Sequence, residues 1–146
     1  MAAPDATPTP PRDDVRDLKT LGQGAVAYPD TVSPDLLETF PNAFTGRRYT
    51  VTFRSAEFTS LCPKTGQPDF GTITIRYVPD TRCIESKSLK LYLFSYRNEG
   101  TFMETLTNRI LDDLTRACDP LEMEVIGDFA ARGGVTISVN ASFRRP

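Results

Sequence analysis

The sequence predicts an α+β fold: an antiparallel four-stranded sheet with two helices on one face. Three observations predict it. Apolar and polar residues alternate over separate segments near both ends of the chain, the period of a half-buried strand. Two helical stretches lie between the strand pairs. Turn residues such as Asp119-Pro120 and Gly133-Gly134 mark the joints.

The elements follow in order. Residues 1–20 read as a proline-rich disordered leader, because Pro4, Pro8, Pro10 and Pro11 remove backbone donors and almost nothing apolar is there to pack. Residues 21–146 form one domain. Residues 21–45 are expected to be loop with one helical turn, where Ser33-Pro34 supplies a cap followed by proline at the first helical position. Tyr49, Val51 and Phe53 alternate with Arg48, Thr50, Thr52 and Arg54, so a strand starts near Arg47. Residues 55–69 are rich in turn formers and read as a loop. A second strand is expected over 70–78, with Ile73, Ile75 and Tyr77 facing one way.

Residues 86–97 fit helix or strand by pattern alone; helix is adopted. Residues 102–117 are clearer, with Phe102, Leu106, Ile110, Leu114 and Ala117 in one stripe and a capping-box pattern at Thr101 and Glu104. Asp119-Pro120 ends that helix. Strands follow over 121–130, with an irregularity expected near Gly127, and after Gly133-Gly134, where Val135, Ile137 and Val139 alternate with polar residues. Such a sheet leaves two open edges. Open edges need cover or a partner, so pairing between subunits into a closed barrel, and hence a homo-oligomer, is expected.

Composition excludes several functions. With 17 basic and 19 acidic residues the chain is not a strongly basic nucleic-acid binder. No apolar run approaches the ~20 residues of a membrane span. The first residues lack the basic start and apolar stretch of a secretory signal, and their acids argue against a transit peptide. Histidine is absent, which removes Ser-His-Asp triads, Cys-His dyads and His-ligated metal sites, and no metal site is expected. Cys62, Cys83 and Cys118 are odd in number and far apart, which fits a reducing, cytoplasmic setting better than a disulfide scaffold. Cys83 and Cys118 are read as structural.

A few residues can carry chemistry. Cys62 precedes Pro63, which suits the first position of a helical turn. Backbone N–H groups and Lys64 would then favour thiolate. Asp69, at the next strand's start, can return toward the sulfur as a proton donor or acceptor. The residue types alone favour a buried core cysteine and a turn or cap aspartate. Lys87 and Lys90 share a helix face and can grip phosphates, and Arg132 sits beside a glycine pair that permits close approach; a solvated face and a plain hairpin turn are the competing uses. Glu104 can cap its helix or accept two parallel hydrogen bonds from a guanine-like ring.

Longer motifs bear on these choices. Residues 57–70, from Glu57 through Cys62-Pro63-Lys64-Thr65-Gly66-Gln67-Pro68-Asp69 to Phe70, resemble the short, single-module 7-cyano-7-deazaguanine reductases of queuosine biosynthesis. So do Glu85-Ser86-Lys87-Ser88-Leu89-Lys90-Leu91-Tyr92, Phe94-Ser95-Tyr96-Arg97-Asn98, Phe102-Met103-Glu104, Arg132-Gly133-Gly134 and residues 37–42. The resemblance spans residues 20–140. It implies the tunnelling fold, assembled as β-barrel rings, with 21–146 as the catalytic domain. It implies reduction of a nitrile to a primary amine by NADPH, acting on a small 7-deazaguanine with no direct nucleic-acid or membrane partner. By resemblance Cys62 forms a covalent thioimide and Asp69 transfers protons. Ile84, Glu85, Ser86 and Glu104 hold the deazaguanine, and Lys87, Lys90 and Arg132 meet the cofactor phosphates. Many members carry histidine where this chain has Met103, which lies in the substrate-binding set but cannot donate a proton.

The chemistry is coherent. A thiolate turns a nitrile carbon, a poor hydride acceptor, into a better electrophile. An aspartate can protonate the developing nitrogen without histidine. The nearest rival is an amidinotransferase acting on nitrile-bearing tRNA, which would need no 85–90 motif and would favour a more basic surface. A non-catalytic purine- or pterin-binding oligomer and a nitrile hydrolase are further rivals.

Overall fold

The computed structural model describes residues 13–20, 22 and 27–146. The elements run β1 (Thr39–Pro41), β2 (Val51–Leu61), β3 (Pro68–Val78), β4 (Arg82–Ile84), α1 (Ser86–Phe94), α2 (Met103–Cys118), β5 (Glu122–Arg132) and β6 (Val135–Arg144), with a 3-10 turn at Pro34–Leu36 ahead of β1. The main sheet is antiparallel in the order β2-β3-β5-β6, and β1 pairs with β4 in a small second ribbon. The predicted order of two strands, two helices and two strands is present.

Periodicity explains the core. Ile73, Ile75 and Tyr77 turn inward from β3, and Met123, Val125 and Phe129 from β5. They meet Leu89, Tyr92 and Leu93 of α1 and Leu106, Ile110 and Leu114 of α2 in one apolar cluster. The sheet's other face carries Arg76, Glu124 and Asn140, tied by an Arg76–Glu124 pair and an Asn140–Glu124 hydrogen bond.

Several expectations need correcting. The first strand begins at Val51 rather than near Arg47. It then continues to Leu61, through most of the stretch read as loop. A register shift between Ser55 and Phe58 breaks the alternation there and resets Phe58 and Ser60 inward. The hairpin turn is only residues 62–67. Pro68 opens β3, a position that needs no ladder donor.

The capping box at α2 does not form. Phe102 is the N-cap and is exposed, and Met103 is buried in its place. The backbone of Thr101 is committed elsewhere, since its amide donates to the Leu61 carbonyl. Gly127 carries no irregularity: its register with Ile73 and Val139 is continuous, and the shift falls between Phe129 and Arg132. Glycine is required at 127 because a Cβ would stand 2.6 Å from the Phe129 ring. Helix α1 is capped by Glu85, whose carboxylate accepts from the Lys87 and Ser88 amides at 2.7 Å each.

Of the expected leader, residues 1–12 lie outside the described residues. Residues 19 and 20 are anchored: the amides of Lys19 and Thr20 donate to the Glu38 carboxylate, and Lys87 Nζ donates to the Thr20 carbonyl. No helix among the described residues is long and apolar enough to cross a membrane.

Candidate active site

The turn after β2 folds on itself. The Cys62 amide donates to the Gln67 carbonyl at 2.8 Å, and the Gly66 amide donates back to the Cys62 carbonyl at 2.9 Å. Gly66 sits at φ +72°, a left-handed conformation that glycine adopts without a steric penalty. This is the helical turn expected to start at Pro63, with Cys62 at its head.

The Cys62 side chain therefore faces donors. The Thr65 hydroxyl, the Thr65 and Lys64 amides and the Arg132 guanidinium hold its thiol down at about 7, against the opposing effect of partial burial. Thr65 supplies the largest share, and sequence reasoning missed it. The only available signal was a hydroxyl residue next to the turn glycine. Cys118, by contrast, has its thiol pushed up to about 12 by burial.

The sheet register brings Asp69 and Arg132 to the same place. Gly71 opposes Phe129, so the end of β5 stands beside the start of β3. Arg132 Nε lies 3.1 Å from Asp69 Oδ1, and its Nη2 donates to Gln67 Oε1 at 2.9 Å. Asp69 is 5% exposed. Its Oδ1 nevertheless lacks an aligned hydrogen bond, so the ion pair leaves a lone pair of that oxygen uncommitted. Arg132, expected among the cofactor residues, is thus found with the cysteine and the aspartate. Residues 99–101 brace this turn from outside: the Leu61 amide donates to the Glu99 carbonyl at 2.9 Å, and Arg109 pairs with Glu99 at 3.0 Å.

The other expected residues divide. Glu104 is exposed on the first turn of α2, three residues past the Thr101–Leu61 bridge and hence at the Cys62 end of the chain. Met103 is buried in the core and presents no polar group. Ile84, Glu85 and Ser86 line a cavity of about 750 Å3, with Phe44, Tyr49 and Phe53 among its walls. Phe53 and Leu61 are eight residues apart on β2, roughly 25 Å. Within one chain this cavity and Cys62 therefore stand at opposite ends of a strand. Lys87 and Lys90 lie on α1 between them, Lys90 exposed and neither in an ion pair among the described residues. Such unpaired ammonium groups are suited to phosphate.

A cysteine held near neutrality at the head of a hairpin turn, beside a guanidinium that pairs with a buried carboxylate and with no histidine in the chain, is the kind of group that nucleophilic thiol chemistry uses, set here on an α+β scaffold. The scaffold is also that of the crystal structure of the archaeosine synthase QueF-Like in the apo form, matched with a TM-score of 0.59 at 21% identity over 68% of this chain and 95% of that one. The family model described as QueF-like protein matches residues 68–146. A relative from Desulfovibrio desulfuricans is 53% identical over 131 residues, 89% of this chain and 78% of its own length. One from Chloroherpeton thalassium is 54% identical over 112 residues, covering 77% and 97%. One from Bacillus cytotoxicus is 50% identical over 134 residues, covering 92% and 81%. All three are named NADPH-dependent 7-cyano-7-deazaguanine reductase. The chain belongs to this family of nitrile reductases.

Proposed function

We propose that this chain reduces the nitrile of 7-cyano-7-deazaguanine to an aminomethyl group, using NADPH, in queuosine biosynthesis. The observation that carries the reading is Cys62, held close to neutrality by Thr65, Lys64 and Arg132, the same arginine that pairs with the buried Asp69.

The chain's own groups perform the first step. Cys62 Sγ attacks the nitrile carbon and forms the C–S bond of a thioimide as one C–N π bond opens. Asp69 takes the thiol proton and delivers it to the nitrile nitrogen, so the carboxylate ends as it began. Arg132, paired with that carboxylate, holds it in place. NADPH, when bound, supplies hydride, and two equivalents carry a nitrile to an amine. Lys87 and Lys90 hold its phosphates, and Glu104 accepts the N–H edge of the deazaguanine.

The roughly 25 Å of β2 between Phe53, in the wall of the cavity at Ile84, Glu85 and Ser86, and Leu61, next to Cys62, supports a second proposal: two copies of the chain complete each site. The free edges of β2 and β6 are the surfaces for pairing into barrel rings. Residues 21–146 then act as one catalytic domain behind a leader, and the three free thiols fit the cytoplasm.

Intact-mass analysis tests the mechanism. Incubation with 7-cyano-7-deazaguanine alone adds one substrate mass to the wild type and none to Cys62→Ala, and NADPH discharges the adduct. A Cys62→Ala chain that turns over at the wild-type rate would falsify it.

A further inference from the structure

We propose that the groove between α1 and β2 seats the 2′-phosphoadenosine end of NADPH, with Arg97 and Lys90 as the phosphate-binding pair. The proposal rests on the reductase reading above, narrows the part of Lys90 to one phosphate and brings in Arg97, Tyr28, Phe94 and Glu57, which have no role so far. The groove encloses about 430 Å3 and is lined by Lys90, Phe94 and Arg97 on one side, by Glu57 and Thr59 of β2 on the other, and by Tyr28.

Three features match that ligand. First, Lys90 on α1 and Arg97 in the turn that follows the helix both line the groove. Second, neither is in an ion pair among the described residues. Their partners are instead π faces: Lys90 Nζ lies 5.7 Å over Tyr28, and the Arg97 guanidinium 4.7 Å over Phe94. A cation held against a ring keeps its N–H donors for an anion, and the planar fork of arginine suits a phosphate monoester. Third, Tyr28 and Phe94 have centroids 4.7 Å apart and form an aromatic wall for a purine.

Glu57 fixes the orientation. Its carboxylate repels phosphate and accepts from ribose hydroxyls, so the 2′-phosphate goes to the α1 side. The groove ends at Thr59, whose hydroxyl donates to the Asp69 carbonyl and which lies three residues, ~10 Å, before Cys62. An extended dinucleotide spans that gap. Because the 2′-phosphate alone separates NADPH from NADH, Arg97 and Lys90 set the choice between them.

Calorimetric titration of the full chain tests this with adenosine 2′,5′-bisphosphate and adenosine 5′-monophosphate. The wild type binds the bisphosphate at least tenfold more tightly. Arg97→Gln and Lys90→Gln each weaken the bisphosphate at least fivefold and leave the monophosphate within twofold, while Arg97→Lys recovers part of the loss. In turnover, KM for NADPH rises and KM for NADH stays within twofold. Arg97→Gln binding the bisphosphate like the wild type overturns the proposal, as does equal weakening of both probes. A wild-type chain that consumes no NADPH with the nitrile overturns the reductase reading as well.

Discussion

Arg132 Nε stands 3.1 Å from Asp69 Oδ1, joining a guanidinium whose side chain is 35% exposed to a carboxylate whose side chain is 4% exposed. The contact is electrostatic more than directional, since Oδ1 has no aligned hydrogen bond. The oxygen therefore has a lone pair free for the proton that passes between sulfur and nitrogen in the proposed step. The same guanidinium lowers the Cys62 thiol, so one arginine serves both halves of the step.

The rate of Cys62 alkylation by iodoacetamide rises with pH, with its midpoint at about 7. Thr65→Val raises that midpoint most, because the threonine hydroxyl is the largest stabiliser of the thiolate; Arg132→Gln raises it less. The sign for stability follows. The folded thiol lies below its unfolded value of ~8.5, so the thiolate's contribution is complete above that value and is lost as pH falls through 7. A midpoint at 8.5 in the wild type would remove the turn's role.

Labelling at pH 8 in native buffer modifies Cys62 well ahead of Cys118. The two residues are 9% and 1% exposed, and the Cys62 thiol is held at about 7 while burial holds the Cys118 thiol up at about 12. Peptide mapping should find all three modified only in denaturant. Native labelling of Cys118 would contradict its place in the core.

Gly71→Ala lowers stability by about 1–3 kcal/mol. The added Cβ would stand 2.6 Å from the Asp128 carbonyl, a backbone atom that cannot swing aside. Urea denaturation measures the loss, and an unchanged midpoint would mean that the β3–β5 spacing is wider than described.

Arg109→Met slows Cys62 alkylation several-fold with the fold intact by circular dichroism. Arg109 pins Glu99, and the Glu99 carbonyl holds the Leu61 amide next to the nucleophile. Arg109→Lys restores most of the rate. A methionine variant with the wild-type rate and pH midpoint would leave the 99–101 brace without influence on the sulfur.

The sheet and helices were legible because burial follows their periods: Ile73, Ile75 and Tyr77 recur every second residue, and Leu106, Ile110 and Leu114 every fourth. What escaped lacks a period. The β1–β4 ribbon has three residues per strand, too few to alternate. The second half of β2 was hidden by its bulge, which shifts the inward phase. Thr101 and Glu104 have the spacing of a capping box, but spacing cannot reveal that the Thr101 amide is already spent on Leu61. In the site, Cys62 and Asp69 were found together because a short hairpin joins them. Arg132 arrives from far along the chain, and only the β3–β5 register brings it there.

The span of β2 has a genetic consequence. If the sulfur of one copy serves the Ile84–Ser86 recess of another, an isolated copy is chemically mute, and two differently crippled genes can rescue each other. Co-expressing Cys62→Ala with Ser86→Trp, each dead by itself, should return roughly a quarter of wild-type turnover, the share of sites that inherit both sound halves by random mixing. Complete silence from the mixed population would place the whole reaction inside a single polypeptide.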